Sequence, residues 1–167
     1  VDARSVVTVS QPAPDRLSVH LEGPAECARV ERQVRNWLSV DDDLTAFYAL
    51  ADCDEPAFAA HVQRHRGLHH VRFFTLTEAV VWFVITQRTP RAVSQGQRRR
   101  LIDAYGAQIS HAAGVLPVFP SAERLLAAGP EGLGETLKSA RKGATLHRVL
   151  EGVIALDAAL KAAAVRI

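Results

Sequence analysis

The chain has 167 residues, of which 48% are hydrophobic and 23% are charged, and its formal net charge is +2. This composition excludes disordered and fibrous proteins, and the apolar runs are shorter than the roughly 18 to 20 residues that span a bilayer. We therefore expect no membrane segment. Because no export signal is recognisable and the two cysteines lack a C-x-x-C spacing, we also expect a cytoplasmic location.

The N-terminal third predicts a small β element and a helix. Apolar and polar residues alternate over residues 6–9 and 17–21, on either side of a proline-rich turn, which is typical of two short strands. Val30, Val34 and Trp37 then recur at helical spacing in a helix over residues 25–38. The three aspartates at 41–43 are expected to cap a helix over 44–51. They lack the glycine and closing glutamate of a calcium loop.

A group of histidines follows on the next predicted helix, which begins after Pro56 and ends at Gly67. His61, His65 and His69 are spaced four residues apart, and on one continuous helix they could hold a metal ion. Gly67 interrupts that helix, however, and no cysteine or carboxylate is placed to complete the site. The sequence therefore predicts a polar surface here, with no metal and no cofactor.

The most apolar helix begins at Thr77, with Glu78 in its first turn, and is expected to be buried on all sides. It ends at a polar segment, residues 87–89, and Pro90 precedes a second helix over 91–105 that stops at Gly106. The pair predicts an αα-hairpin. Five arginines lie within residues 88–100 with no acid among them, which fits either a solvated helix face or a surface that meets phosphate groups.

The last third predicts further helices. A loop is expected up to Phe119, then a capped helix over 121–128, and then one long helix over 133–154 with basic residues in its middle. No internal repeat is present.

The spacing of several motifs resembles one known family. Gln87 lies nine residues after Glu78, and Tyr105-Gly106 follow eighteen and nineteen residues after Gln87. The segment FPSAERL is similar to a family pattern F-P-T-P-E-x-L, and ARKGATLHRVLEGVI is similar to S-x-x-[RK]-A-x-x-L-x-x-L-A. The chain thus resembles the helix-hairpin-helix DNA glycosylase superfamily, and within it the 3-methyladenine DNA glycosylase II group.

The resemblance implies an α+β fold in which a small N-terminal antiparallel β element with a helix precedes a mainly α-helical glycosylase-like domain. We expect an N-terminal α+β domain over 1–51, a connecting helix and loop over 52–75, and a C-terminally incomplete helical domain over 76–167. The family's phosphate-binding hairpin and catalytic aspartate are not clearly present. Three alternatives stay open: they follow residue 167, the chain is a natural relative that has lost them, or Gly132 and Gly134 form the hairpin and Asp157, 23 residues after Gly134, is the aspartate.

The implied activity is that of a monofunctional DNA glycosylase, a hydrolase of base excision repair. It would bind duplex DNA as a monomer at the bacterial nucleoid, flip out an alkylated base and cleave its N-glycosidic bond without a cofactor. Arg88 would fill the gap left by the flipped nucleotide. The residues expected to contact DNA are Gln87, Arg88, Thr89, Arg91 and Arg98, and those expected to line the base pocket are Trp82 and Tyr105.

Two other functions stay open at this point. The chain could be a non-catalytic DNA-binding relative that uses the same polar segment without excision. It could also be a helical scaffold protein whose basic helix is only a solvated face.

Overall fold

The computed structural model describes residues 4–164, with side chains described for residues 4–156. The chain divides into two compact units, of which the first ends at Phe74 and the second begins at Thr75. Within the described part, no helix is long and apolar enough to cross a membrane.

The first unit contains the predicted β element. Strands β1 (Val6–Ala13) and β2 (Arg16–Glu22) are antiparallel, with Val7 opposite Leu21 and Val9 opposite Val19. Three helices follow, α1 (Cys27–Leu38), α2 (Thr45–Asp52) and α3 (Pro56–Arg64). Their small core is built from apolar side chains at helical spacing, as the sequence indicates. The buried members are Val30, Val34, Ala51 and Val62.

The aspartates before α2 do not act together. The Asp43 carboxylate accepts a hydrogen bond from the Thr45 backbone N–H at 2.9 Å, which satisfies a donor at the start of the helix. Asp41 instead pairs with Arg35 of α1, and this hydrogen bond holds the pKa of the Asp41 carboxyl below its usual range. Of these two carboxylates, only that of Asp43 bonds a backbone N–H at the start of α2, and the N-cap residue itself is Leu44, which makes no side-chain cap.

The three histidines of the 61–69 group do not lie on one helix. The His61 and His65 rings lie 4.5 Å apart on and just after α3, whereas His69 lies beyond Gly67 and its Nδ1 contacts the Ser39 carbonyl at 2.8 Å. No cluster of three or more potential metal ligands occurs among residues 4–156.

The second unit is mainly helical. Its elements are α4 (Leu76–Thr86), α5 (Arg91–Tyr105), β3 (Ala107–His111), β4 (Gly114–Val118), α6 (Ala122–Ala127), α7 (Gly129–Leu137) and α8 (Ala140–Ala164). Helix α4 packs against α5 and α8. The core side chains come from all five helices and are Val81, Val84, Ile85, Leu101, Ala122, Leu125, Leu133, Leu137, Leu146 and Leu150.

Helix α4 is central, but it is not buried on every side. Val81 and Ile85 are fully buried, whereas Phe83 is 63% exposed. The expectation of all-round burial is thus wrong for one side of α4 in this chain.

Two of the elements predicted for this unit are also wrong. Residues 107–118 form an antiparallel pair, with Ile109 opposite Leu116, where a loop was expected. Pro117 fits in β4 because both strands of a two-stranded sheet are edge strands, where proline is tolerated. The long helix predicted over 133–154 is two helices, because Lys138 takes a left-handed conformation (φ 53°) and ends α7.

The glycines of residues 132–134 lie inside α7, so the alternative that they form the family's hairpin is wrong. Gly134 serves packing instead. A Cβ added at Gly143 of α8 would lie 2.3 Å from the Gly134 backbone nitrogen, so α7 and α8 meet backbone to backbone. Asp157 belongs to α8, and its side chain lies outside the described residues.

Candidate nucleic-acid interface

The segment between α4 and α5, residues 87–90, is called the first corner. Gln87 leaves the helical conformation, and Arg88 then reverses the chain with φ 49° before Pro90 starts α5. A left-handed conformation in a residue other than glycine costs about 1 to 3 kcal/mol and persists only where the surroundings enforce it. Gln87 and Arg88 are both exposed, so the first corner presents an amide and a guanidinium to solvent.

Lys142 of α8 donates hydrogen bonds to the first corner and to the helices on either side of it. Its ammonium donates to the Ile85 carbonyl at 2.5 Å, to Thr89 Oγ1 at 2.5 Å and to Gln97 Oε1 at 3.1 Å. Thr89 Oγ1 in turn donates to the Gln87 carbonyl at 2.9 Å. Partial burial lowers the pKa of Lys142 from its ordinary value.

Residues 138–139, which join α7 to α8, form the second corner. The Lys138 N–H donates to the Glu135 carbonyl at 3.1 Å, and the Ser139 N–H donates to the Gly134 carbonyl at 2.9 Å. Ser139 Oγ accepts from the Lys142 N–H at 3.3 Å. These bonds satisfy the free carbonyls at the end of α7 and a free N–H at the start of α8.

The two corners border one cleft of about 370 Å³. Its lining includes three cationic side chains and no carboxylate, which makes it a favourable place for an anion. The lining residues are Val84, Gln87, Arg88, Ser139, Arg141, Lys142 and Thr145. The sequence indicates basic residues around Arg141, but it does not show that Arg141 lines the same cleft as Arg88, because only the fold brings the two positions together.

The arginines of α5 are not equivalent. Arg98 pairs with Glu78 of α4, and its guanidinium carbon lies 5.4 Å from the centre of the Phe119 ring. Arg100 donates to the Thr136 carbonyl at 2.8 Å and so ties α5 to α7. Both guanidiniums therefore have partners within the second unit.

Arg88 and Arg91 differ from these two. Both are exposed, and no ion pair or hydrogen bond joins either side chain to another described residue. Arg99 is also exposed but lies 3.8 Å from Asp103 on the same face of α5. Of the five arginines that the sequence grouped together, Arg88 and Arg91 have the guanidiniums most available to a partner.

The predicted pocket aromatics lie away from the cleft lining. Trp82 is partly buried against the core. The Tyr105 hydroxyl donates to the Gly132 carbonyl at 3.1 Å and lies 2.8 Å from Thr136 Oγ1. Tyr105 thus joins α5 to α7, and the assignment of either aromatic to a base pocket stays a prediction.

Comparison with known proteins identifies relatives. No family model matches the chain. Over 113 residues it is 26% identical to the DNA-3-methyladenine glycosylase of Bacillus subtilis (strain 168), an alignment that covers 68% of this chain and 37% of that protein. The fold is similar to that of a 3-methyladenine DNA-glycosylase from Archaeoglobus fulgidus, with a TM-score of 0.73 and 22% identity over 90% of this chain and 52% of that one.

A further protein of similar fold was solved with DNA. The Clostridium acetobutylicum 8-oxoguanine glycosylase/lyase, in complex with duplex DNA containing cytosine opposite 8-oxoguanine, gives a TM-score of 0.62 and 12% identity over 90% of this chain and 50% of that one. The chain thus spans about half the length, or less, of the relatives it matches. The sequence match and the shared fold agree with the residue motifs and confirm the predicted resemblance to the helix-hairpin-helix DNA glycosylase superfamily.

Proposed function

We propose that this protein is a DNA repair glycosylase that binds duplex DNA as a monomer at the nucleoid, flips out an alkylated base and cleaves its N-glycosidic bond. The observation that carries this proposal is the cleft at the first corner, where Arg88 and Arg141 lie beside the exposed amide of Gln87. Relatives named for 3-methyladenine support the choice of alkylated bases.

The electrostatics of the cleft suit a nucleic-acid backbone. Duplex DNA carries about one negative charge per 1.7 Å of helix axis, and arginine contacts to phosphates fix the register of a protein on the duplex. The cleft has no carboxylate in its lining, so the charges of Arg88 and Arg141 are not cancelled there. Arg91, exposed in the first turn of α5, adds a further cation close in sequence to the first corner.

Arg88 is suited to fill the gap left by a flipped nucleotide. Extraction of a base costs a few kcal/mol of stacking and pairing, and a side chain that occupies the gap offsets part of that cost. A guanidinium can stack on the neighbouring bases as well as contact phosphate. Because the first corner already holds Arg88 at φ 49°, less conformational entropy is lost when DNA binds.

The other predicted residues are expected to act in different ways. Gln87 offers both a donor and an acceptor to base edges. Thr89 stabilises the first corner, since its hydroxyl donates a hydrogen bond to the Gln87 carbonyl. Arg98 stays a predicted DNA contact, although Glu78 already pairs with it. Trp82 is proposed with Tyr105 to border the pocket for a cationic alkylated base, which aromatic rings attract.

Base release tests the proposal. The full-length protein is incubated with methylated duplex DNA, and free 3-methyladenine and 7-methylguanine are measured by chromatography. Release of either base is the expected result. Binding without release would favour a non-catalytic DNA-binding relative, and a lack of DNA binding at low salt would overturn the proposal and leave a scaffold.

A further inference from the structure

Lys142 lines the same cleft as Arg88 and Arg141, but its contacts set it apart. We infer that Lys142 is a positioning residue: it fixes the shape of the first corner, so that Gln87 and Arg88 are presented correctly, and does not itself contact the DNA. The DNA part of this inference rests on the proposed function, whereas the structural part does not.

The first argument comes from the donors of the ammonium group. A lysine side chain has three N–H donors and no acceptor. The three partners of Lys142, which are the Ile85 carbonyl, Thr89 Oγ1 and Gln97 Oε1, are all acceptors. Every N–H is therefore used within the protein, and a contact with phosphate would require one of these bonds to break.

The second argument comes from the direction of the hydrogen bonds. Because Lys142 can only donate to Thr89 Oγ1, the hydroxyl hydrogen of Thr89 is left to point at the Gln87 carbonyl, 2.9 Å away. That carbonyl belongs to the peptide that enters Arg88, the residue with the left-handed backbone. The chain of bonds from Lys142 through Thr89 to Gln87 thus holds the strained peptide in place.

The third argument comes from Gln97, which is only 5% exposed. Its Oε1 accepts from Lys142, and its Nε2 donates to the Leu137 carbonyl at 2.8 Å, at the end of α7. With both ends bonded, the amide has one orientation and cannot release Lys142 by rotating. Partial burial also lowers the pKa of Lys142.

The test compares Lys142→Met with Arg141→Met in the full-length protein. Arg141 is the neighbouring cation of the same cleft, and it is exposed. Affinities are measured over a range of salt concentrations for an undamaged duplex and for a duplex with a tetrahydrofuran abasic site. Lys142→Met is expected to lower affinity for the abasic duplex about tenfold or more, by misplacing Arg88, and to leave affinity for the undamaged duplex, which has no gap to fill, nearly unchanged. Arg141→Met should weaken binding to both duplexes and reduce the salt slope by about one.

Equal weakening of both duplexes by Lys142→Met, as expected for Arg141→Met, would mean a direct phosphate contact and would overturn the inference. Hydrogen exchange at the amides of residues 87–89, measured without DNA, separates this failure from failure of the proposed function. Faster exchange is expected in Lys142→Met and not in Arg141→Met. If the protein binds no DNA and exchange still rises, Lys142 holds the corner and only the proposed function fails; unchanged exchange overturns the inference in either case.

A second variant covers the case in which Lys142→Met does not fold. Thr89→Val keeps the side-chain shape and leaves the Ile85 and Gln97 acceptors to Lys142, but it removes the hydroxyl that links Lys142 to Gln87. We expect faster amide exchange at the first corner and weaker binding of the abasic duplex, again with nearly unchanged affinity for the undamaged duplex. A Thr89→Val protein with unaltered exchange and affinity would overturn the inference.

Discussion

The two corners of the second unit turn the chain in the same way but are held by different means. Each places a basic residue in a left-handed conformation, Arg88 at φ 49° in the first corner and Lys138 at φ 53° in the second. The first corner depends on Lys142, which is 53 residues from Thr89 in sequence. The second corner is closed by backbone bonds to residues three to five positions earlier. The first corner therefore depends on the packing of α8, which is its support, whereas the second corner is held by local bonds.

The largest expected effect comes from breaking the support. In Gly143→Ala, the new methyl group would lie 2.3 Å from the Gly134 nitrogen and 2.5 Å from the Pro130 carbonyl oxygen, both backbone atoms that cannot rotate away. Helices α7 and α8 must then separate. We expect the free energy of unfolding to fall by about 3 kcal/mol or more, as measured by chemical denaturation.

Gly152→Ala is the matched control on the same helix, because a Cβ at Gly152 meets no atom within 4 Å. Replacement of an exposed helical glycine by alanine should raise stability by about 0.5 to 1 kcal/mol. Equal effects of the two substitutions would contradict the backbone contact between α7 and α8.

A smaller effect is expected from Gln97→Leu, which keeps the volume of the side chain but deprives Lys142 and the Leu137 carbonyl of a partner. The loss should be about 1 to 3 kcal/mol in the free energy of unfolding, because partly buried polar groups are left unpaired. Gln95→Leu, at an exposed position of the same helix, should change stability little. Equal free energies of unfolding in urea for the two variants would mean that the hydrogen bonds of Gln97 do not stabilise the fold.

The sequence alone predicts much of the framework around the first corner. Local signals in the sequence predict where α4 and α5 begin and end: the apolar run of α4, the proline at residue 90 and the glycine at residue 106. The structure has both helices within one residue of the expected bounds. Fixed spacing between Glu78, Gln87 and Tyr105 was enough to indicate the superfamily.

The other features of the candidate site depend on contacts between residues that are far apart in sequence. Arg98 could not be separated from Arg91 in the sequence, because its partner Glu78 lies 20 residues away. The place of Lys142 behind the first corner, and of Arg141 beside Arg88, follows only from the packing of α8 against α4. The break at Lys138 was missed because neither glycine nor proline marks it, and its cause is the local turn geometry.

The central claim is that the first corner meets DNA through Arg88. The most direct measurement is the affinity of the full-length protein for an abasic-site duplex as a function of salt, for the wild type, Arg88→Ala and Arg99→Ala. We predict that Arg88→Ala weakens binding about tenfold and reduces the salt slope by about one. Arg99→Ala, which removes a guanidinium beside Asp103 on the exposed face of α5, should leave affinity and slope unchanged. An Arg88→Ala protein that binds like the wild type at every salt concentration would contradict the account.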